Sequence, residues 1–241
     1  MSANITCHCG ACGFEINDEQ PCLSLLCGCT DCRHALEWCS LQGGAEPSSL
    51  PELIYVKSDI LSVKGKEFMH AFKLRSTGRS TRIYCEKCFS IIGVDHKSYR
   101  DNVFMFFKYH CSTSCDLSIE PSAAIYLEDL QDASQISKLE NIPLIFIFSE
   151  IETREFREIK RVSNSFNEIN RPRYGQTLKS VIHSMSKIEI LNWYFYQIRS
   201  LFKIVYSRCY SFSGNMVRSI SSNQIIGILL ARLNFREELF L

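Results

Sequence analysis

Residues 27–33 read CGCTDCR and place three cysteines, Cys27, Cys29 and Cys32, within six positions of the chain. Three thiolates this close together can surround one metal ion without a distant part of the sequence. A catalytic zinc site uses three protein ligands and leaves the fourth position to water or substrate, whereas a structural site is closed by four. The spacing therefore predicts an open metal site. The alternative is a second structural site, closed by Cys12, Cys22, His34 or Cys39.

Two further cysteine pairs have the spacing of metal ligands. Cys7 and Cys9 are separated by one residue, and Cys85 and Cys88 by two. One pair supplies half of a tetrahedral site, so the two pairs are predicted to combine into a four-thiolate structural zinc site. Such a site would join the first strand region to a hairpin about 75 residues later and stabilise a loop-rich β domain. The other cysteines of this half receive no firm role: Cys12, Cys22, Cys39, Cys111 and Cys115.

The cysteines lie almost entirely in the first half of the chain. Of 13 cysteines in 241 residues, 12 lie within residues 1–115 and only Cys209 lies beyond. This density indicates either a disulfide scaffold in an oxidising compartment or metal sites in a reducing one. No secretory leader is visible, and no apolar run approaches the roughly 20 residues of a membrane span. We therefore expect a cytoplasmic protein, without a membrane partner, whose thiols stay reduced.

The first half also carries the strand signals. Short runs rich in β-branched and aromatic residues predict six strands, at 13–16, 53–56, 71–74, 81–84, 91–94 and 103–107. The turn-rich stretch at 42–51 (QGGAEPSSLP) predicts a surface loop between them. The fold class of this half is therefore mainly β.

After residue 130 the sequence changes character. Glycine and cysteine become rare, and apolar residues recur at near-helical spacing in 130–139 and 188–205, which predicts helices. We therefore predict two parts: a zinc-binding β domain at 3–130 and a C-terminal extension at 131–241 that is helical or poorly ordered.

The extension is basic from about residue 154. The net charge of the whole chain is only +1, but residues 154–236 hold 14 Lys and Arg against 4 Asp and Glu. Aromatic residues are interleaved with these charges: Trp193, Tyr194, Phe195, Tyr196, Phe202, Tyr206 and Tyr210. A second hypothesis is therefore a non-catalytic zinc module whose tail binds nucleic acid or a protein partner. The simpler interpretation is a solvated charged face with the aromatic face packed inward. The glycine-rich phosphate-binding loops are absent from the sequence.

The cysteine motifs occur in an order that resembles a known family. Cys7-His8-Cys9-Gly10-Ala11-Cys12 is followed by Cys27-Gly28-Cys29-Thr30-Asp31-Cys32-Arg33, by Val63-Lys64-Gly65 and Ser76, and by Arg82-Ile83-Tyr84-Cys85-Glu86-Lys87-Cys88. In order and spacing, residues 3 to about 110 resemble the glutathione-dependent formaldehyde-activating enzyme (GFA) family, also called the centromere protein V domain.

The resemblance implies a β-tent of curved antiparallel sheets that holds two zinc ions. It assigns Cys7, Cys9, Cys85 and Cys88 to the structural zinc, and Cys27, Cys29 and Cys32 to the catalytic zinc near the substrate. The implied activity is that of a carbon–sulfur lyase, which condenses formaldehyde with glutathione to S-hydroxymethylglutathione or handles a related thiol–aldehyde adduct. Arg33, Lys73 and Arg75 are candidates to hold a carboxylate of glutathione.

Three features depart from the family pattern. Phe89 follows the second C-x-x-C pair where the family often has glycine, so this turn must form without a residue that adopts positive φ freely. A glycine is also common a few residues after the C-R pair, where this chain reads HALEWC at 34–39. These two differences bear on the shape of the pocket. The extension has no counterpart in the family.

Overall fold

The computed structural model describes residues 2–18, 20–139 and 141–192. Its strands are β1 (Ala3–Cys7), β2 (Gly13–Ile16), β3 (Leu23–Cys27), β4 (Glu52–Lys57), β5 (Ile60–Lys64), β6 (Met69–Lys73), β7 (Ser80–Cys85), β8 (Ile91–His96), β9 (Val103–Phe107), β10 (Cys111–Thr113), β11 (Ala124–Ile125) and β12 (Ile188–Ile190). Its α-helices are α1 (Thr30–Leu41), α2 (Glu150–Glu158), α3 (Lys160–Ile169) and α4 (Leu178–His183). The described part of the chain is thus mostly β, as the sequence predicts.

The strands form two sheets. One is four-stranded and antiparallel, in the order β10-β1-β2-β5, and the other is eight-stranded, in the order β11-β3-β4-β9-β8-β7-β6-β12. Both outermost pairs of the larger sheet, β11 with β3 and β12 with β6, are parallel, while its inner pairs are antiparallel. The larger sheet is therefore mixed, with short parallel strands added at its two edges.

The larger sheet is buried on both faces. Along β4, Leu53 and Tyr55 pack on one side, and Ile54 and Val56 pack on the other. This follows from the two-residue period of a strand, which sends successive side chains to opposite faces. One face packs against the smaller sheet, where the rings of Phe14 and Phe104 meet with centroids 5.2 Å apart.

The opposite face of the larger sheet is covered by α1. Trp38 on this helix packs edge-on against Tyr84 at 5.0 Å and tilted against Phe72 at 4.6 Å. Because α1 starts directly after β3, its position on this face also places its first turn, which carries Cys32, against the sheet. The helix thus connects the core to the cysteine-rich loop.

The six predicted strands are confirmed, and the stretch 42–51 contains no helix or strand. The helix predicted at 188–205 is wrong at its start, because Ile188–Ile190 is a strand that pairs in parallel with β6. An unpaired sheet edge outweighs a local helical pattern there. Residues 193–205, with the aromatic residues from Trp193 onward, lie outside the described residues. The helix predicted at 130–139 is a single 3₁₀ helix, Ala133–Lys138.

The chain after residue 130 packs onto the same β structure. The described residues after 130 belong to the same compact unit as the strands before them. The Asp59 carboxylate, after β4, accepts hydrogen bonds from the backbone N–H groups of Tyr174 and Gly175, and Ser58 accepts one from Leu178 at 2.8 Å. From there α4 buries Leu178, Val181 and Ile182 against the core. This part of the predicted extension is therefore docked by specific polar contacts and by an apolar helix face.

Candidate metal centres

The first cluster is built where β3 meets α1. Cys27 ends the strand, Cys29 is the N-cap of the helix, and Cys32 lies in its first turn. Their three Sγ atoms all lie within 4.8 Å of one another, and those of Cys27 and Cys32 are 3.8 Å apart. The three thiols that the spacing singles out thus form one cluster that could hold a metal ion. We call it the thiol triplet.

A glycine allows this loop to form against its neighbour. The N–H of Gly28 donates to the carbonyl of Ile125 at 2.9 Å, and a Cβ at position 28 would lie 2.8 Å from the carbonyl oxygen of Tyr126. Any side chain would push the chain around β11 away. Gly28 therefore lets the backbone after β11 approach the thiol triplet closely.

The start of the helix favours the thiolate form of Cys29. Its Sγ accepts the backbone N–H of Cys32 at 3.3 Å, as an N-cap side chain does, and the positive end of the helix dipole lies beside it. Hydrogen bonds from the thiols of Cys27 and Cys32 hold the pKa of Cys29 well below its usual value. A thiolate is the form that binds metals, so the backbone prepares Cys29 as a ligand.

Arg82 is the buried cation beside the triplet. It lies on β7 with 2% of its surface exposed, and its Nη2 donates to the carbonyl of Asp31 at 3.2 Å. Its charge adds to the lowering of the pKa of Cys29, and it opposes the hydrogen bonding with Cys29 and the burial that raise the pKa of Cys32 well above its usual value. Sequence reasoning did not assign Arg82 a role. The signal was a charged residue inside a strand whose neighbours are apolar.

We expect Arg82→Met to weaken metal binding at the triplet by about 10- to 100-fold, the usual effect of removing a group that supports metal ligands. The variant loses both the charge that offsets the thiolates and the hydrogen bond to the loop. Competition with a chromophoric zinc chelator measures the affinity. Arg157→Met on the exposed side of α2 is the control. Equal affinities in the two folded variants would contradict this role for Arg82.

Two tyrosines lie on another side of the triplet. The rings of Tyr55 on β4 and Tyr99 after β8 meet edge to face at 6.0 Å. Burial raises the pKa of Tyr55 well above its usual value, and the charges of Cys27 and Cys32 add to this. Burial also raises the pKa of Tyr99, against a lowering hydrogen bond from Tyr55. Both hydroxyls therefore remain protonated at neutral pH and can donate hydrogen bonds. No sequence motif indicates this pair of tyrosines.

No fourth ligand joins the triplet from residues 2–18, 20–139 and 141–192. Cys22 uses its Sγ to donate to the carbonyl of Tyr55 at 3.1 Å, and burial raises the pKa of Cys22 to about 12. Burial also raises the pKa of Cys39 and lowers that of His34 to about 4. Cys12 lies beside the second cluster. None of the four side chains considered as closing ligands therefore completes this site.

The second cluster unites the two cysteine pairs. The Sγ atoms of Cys7, Cys9, Cys85 and Cys88 all lie within 4.8 Å of one another. Those of Cys7 and Cys9 are 3.5 Å apart, and those of Cys9 and Cys85 are 3.8 Å apart. Cys7 ends β1 and Cys9 lies in the turn before β2, while Cys85 ends β7 and Cys88 lies in the turn before β8. The cluster thus joins the smaller sheet to the larger one.

Local donors favour the thiolate form of two of these four cysteines, Cys88 and Cys7, whereas the pKa values of Cys9 and Cys85 are raised. Burial raises the pKa of Cys88, but hydrogen bonds from the Ser90 hydroxyl and from backbone N–H groups outweigh it and lower the pKa to about 6. Burial also raises the pKa of Cys7, but hydrogen bonds outweigh it and lower the pKa. One of them is donated by the N–H of Cys12 to the Sγ of Cys7 at 3.4 Å. The pKa of Cys12 itself is raised far above its usual value by burial. Cys12 is thus a buried thiol beside the cluster.

The turn after Cys88 forms without glycine. Phe89 takes a φ of 52°, the left-handed region that bulky residues rarely adopt. Its ring stacks on Tyr84 at 5.9 Å and meets Trp38 edge-on at 6.1 Å. These aromatic contacts compensate for a backbone strain of about 1–3 kcal/mol. The departure from the family pattern noted at this position is therefore accommodated by packing.

The three cations predicted as candidates to hold a carboxylate of glutathione differ in their surroundings. Arg33 donates to the carbonyl of Asp129 at 3.0 Å and approaches Glu37 at 3.6 Å. Arg75 pairs with Asp31 at 2.6 Å. Lys73 lines a cleft between the turn that follows β6 and α4. Two of the three cations are therefore held by groups of the protein itself.

The described part of the basic segment uses several of its charges internally. Arg171 pairs with Asp18 at 3.2 Å, and Arg173 donates to Asn102 at 2.9 Å. Arg161 donates to the carbonyl of Glu120 at 2.9 Å, and Lys179 pairs with Asp101 at 2.9 Å. These side chains hold the segment against the β structure.

Comparison of the chain with models of known protein families, with curated proteins and with solved structures finds no match. Within the described residues, every helix is too short or too polar to span a lipid bilayer.

Proposed function

We propose that this protein is a zinc-dependent carbon–sulfur lyase that forms or cleaves a thiol–aldehyde adduct such as S-hydroxymethylglutathione. The observation that carries the proposal is the thiol triplet, a three-ligand set that no fourth cysteine, histidine or carboxylate of the described residues closes. Thiolates are soft ligands that select zinc over magnesium or calcium. The resemblance of the cysteine motifs to the GFA family favours the same reaction.

The second cluster would hold a structural zinc ion. Four cysteines match the closed ligand set of structural zinc sites, and Cys7, Cys9, Cys85 and Cys88 come from the turns of two different sheets. With zinc bound there, the two sheets would form the zinc-stabilised β-tent that the resemblance implies. We therefore propose two zinc ions per chain with different roles.

The reaction joins the sulfur of a thiol to the carbon of an aldehyde. A C–S bond forms, the carbonyl π bond breaks, and the thiol proton ends on the new hydroxyl oxygen; cleavage is the reverse. A zinc ion with three thiolate ligands supplies an open position that lowers the pKa of a bound thiol and polarises a carbonyl. The Tyr99 hydroxyl, which burial keeps protonated, would be a candidate donor to the developing alkoxide. The charge of Arg82 stabilises the anionic ligand set.

X-ray absorption at the zinc edge tests the open position. We expect two zinc ions per chain and an average of about 3.5 sulfur ligands per ion, because one site has four thiolates and the other three. Addition of glutathione should raise the average towards four as its sulfur binds at the triplet. Two fully sulfur-ligated sites before the addition, or no adduct formation by the zinc-loaded protein, would overturn the proposal.

A further inference from the structure

A charged cleft of about 430 Å³ is lined by none of the triplet cysteines and has no part in the proposal above. It is bounded by the turn at 74–79 between β6 and β7, by the end of β8 and the residues after it, and by α4. Five cationic side chains line it: Lys73, Arg79, Lys97, Arg100 and Lys179. Its carboxylates are those of Asp95 and Asp101. The cleft therefore carries an excess of positive charge in a concave space.

Most of this positive charge is not neutralised. Lys179 pairs with Asp101 at 2.9 Å. By contrast, no carboxylate of the described residues forms an ion pair with the other four cations, Lys73, Arg79, Lys97 and Arg100. Burial raises the pKa of Asp95, the carboxylate that is left, and thus disfavours its charged form. Four like charges around one cleft repel one another, and a bound anion would relieve this repulsion.

The backbone at the mouth of the cleft is strained. Arg100 and Asp101 are consecutive residues with φ of 49° and 65°. Arg173 holds this loop, since its Nη2 donates to the carbonyl of Asp101 at 3.1 Å and to Asn102 at 2.9 Å. Non-glycine residues in this region are strained and concentrate at ligand-binding sites. Arg100 is thus presented by a loop that is held in an unfavourable conformation.

We propose that this cleft binds the phosphate group of a small phosphate monoester. A phosphate dianion offers three terminal oxygens, which suits several cations better than a single carboxylate does, and arginine can bind phosphate with two parallel hydrogen bonds. The hydroxyls of Ser76 and Thr77 line the same space as neutral donors. The volume lies within the range of small-molecule sites and is bounded by three elements, which favours a small molecule over a nucleic-acid strand.

The 74–79 turn connects the cleft to the first turn of α1. The opposite side of that turn carries Arg75, which pairs with Asp31 in the first turn of α1, between Cys29 and Cys32. The cleft and the first turn of α1 thus both contact the 74–79 turn. Binding itself needs only the cleft, so it stands whether or not the triplet is catalytic.

Titration of the full-length, zinc-loaded protein with phenyl phosphate and with inorganic phosphate, followed by calorimetry, tests this inference. We expect saturable binding of both phosphate compounds. Benzoate should bind at least about tenfold more weakly than phenyl phosphate, because it carries one negative charge on the same ring where phenyl phosphate carries two. The double variant Arg79→Ala/Lys97→Ala should bind phenyl phosphate at least about tenfold more weakly. Both side chains are exposed, so the variant should fold normally.

The matched control is Lys66→Ala/Lys138→Ala, which removes two exposed positive charges outside the cleft. It should bind phenyl phosphate as the unmodified protein does. Equal weakening in both double variants, or equal binding of benzoate and phenyl phosphate, would overturn the inference. Binding of a short single-stranded oligonucleotide without binding of phenyl phosphate would also overturn it. Adduct turnover is measured separately, so its absence with phosphate binding intact would refute the proposed function alone.

Discussion

Replacement of Cys29 with serine is expected to remove one of two zinc ions and to lower adduct turnover by about three orders of magnitude or more. Loss of the open zinc position removes several kcal/mol of transition-state stabilisation, which corresponds to a rate factor of this size. The fold should persist, because a serine hydroxyl at the N-cap can still accept the N–H of Cys32. Cys29 is the most informative ligand to remove, since its thiolate is the one that the helix start favours.

Zinc content by mass spectrometry, turnover by NMR of the adduct, and circular dichroism together test this expectation. Cys22→Ser is the matched control, since Cys22 is buried but lies outside both clusters and donates to the carbonyl of Tyr55, which serine can also do. The control should keep both zinc ions and full turnover. Full activity in Cys29→Ser would exclude the triplet as the reactive centre.

The thiol triplet could be predicted because its residues are neighbours in the sequence. Three cysteines within six positions cannot be far apart in any fold. The joining of Cys7 and Cys9 with Cys85 and Cys88 was a weaker prediction, because it required two turns 76 residues apart to meet. That contact depends on how the two sheets pack, so it could not be predicted from the local sequence around either pair. The argument that one pair supplies only half of a site gave the correct partner.

The groups around the triplet could not be predicted in this way. Arg82 and Tyr55 lie on strands that are distant in sequence from Cys27–Cys32, and only the sheet order brings them to the triplet. Helix α1 was also missed. It begins at a cysteine N-cap rather than at one of the usual capping residues, and its cysteines had been considered only as ligands.

The helix predicted at 188–205 shows that a local sequence pattern can indicate the wrong secondary structure. Ile188 and Leu191 have the spacing of one helix face, but Ile188 and Ile190 are β-branched and have the spacing of one strand face, and the edge of β6 offers a row of free backbone groups. Pairing with β6 therefore makes this segment a strand rather than a helix. The conformation of Phe89 likewise could not be predicted from local sequence, because its left-handed backbone depends on rings contributed by α1 and β7.

Cys85→Ser is expected to cause the largest loss of stability of any single thiol substitution. Cys85 is fully buried at the end of β7, and its cluster joins the β1–β2 turn to the larger sheet. Without zinc, the remaining thiols would be crowded together with no cation to hold them. Binding at structural zinc sites contributes on the order of 10 kcal/mol to folding, and whole domains are stable by only about 5–15 kcal/mol. We therefore expect this variant to be largely unfolded at 37 °C.

Chemical unfolding followed by circular dichroism measures this loss, and Cys111→Ser is its matched control. Cys111 is buried in the same core and its Sγ donates to the carbonyl of Ile91 at 3.2 Å, a hydrogen bond that serine can retain. The control should lose at most about 1–2 kcal/mol. A Cys85→Ser protein as stable as this control would show that the second cluster does not hold the sheets together. Because Cys29→Ser should lose turnover but not the fold, and Cys85→Ser should lose the fold itself, the pair of variants separates the reactive zinc from the structural one.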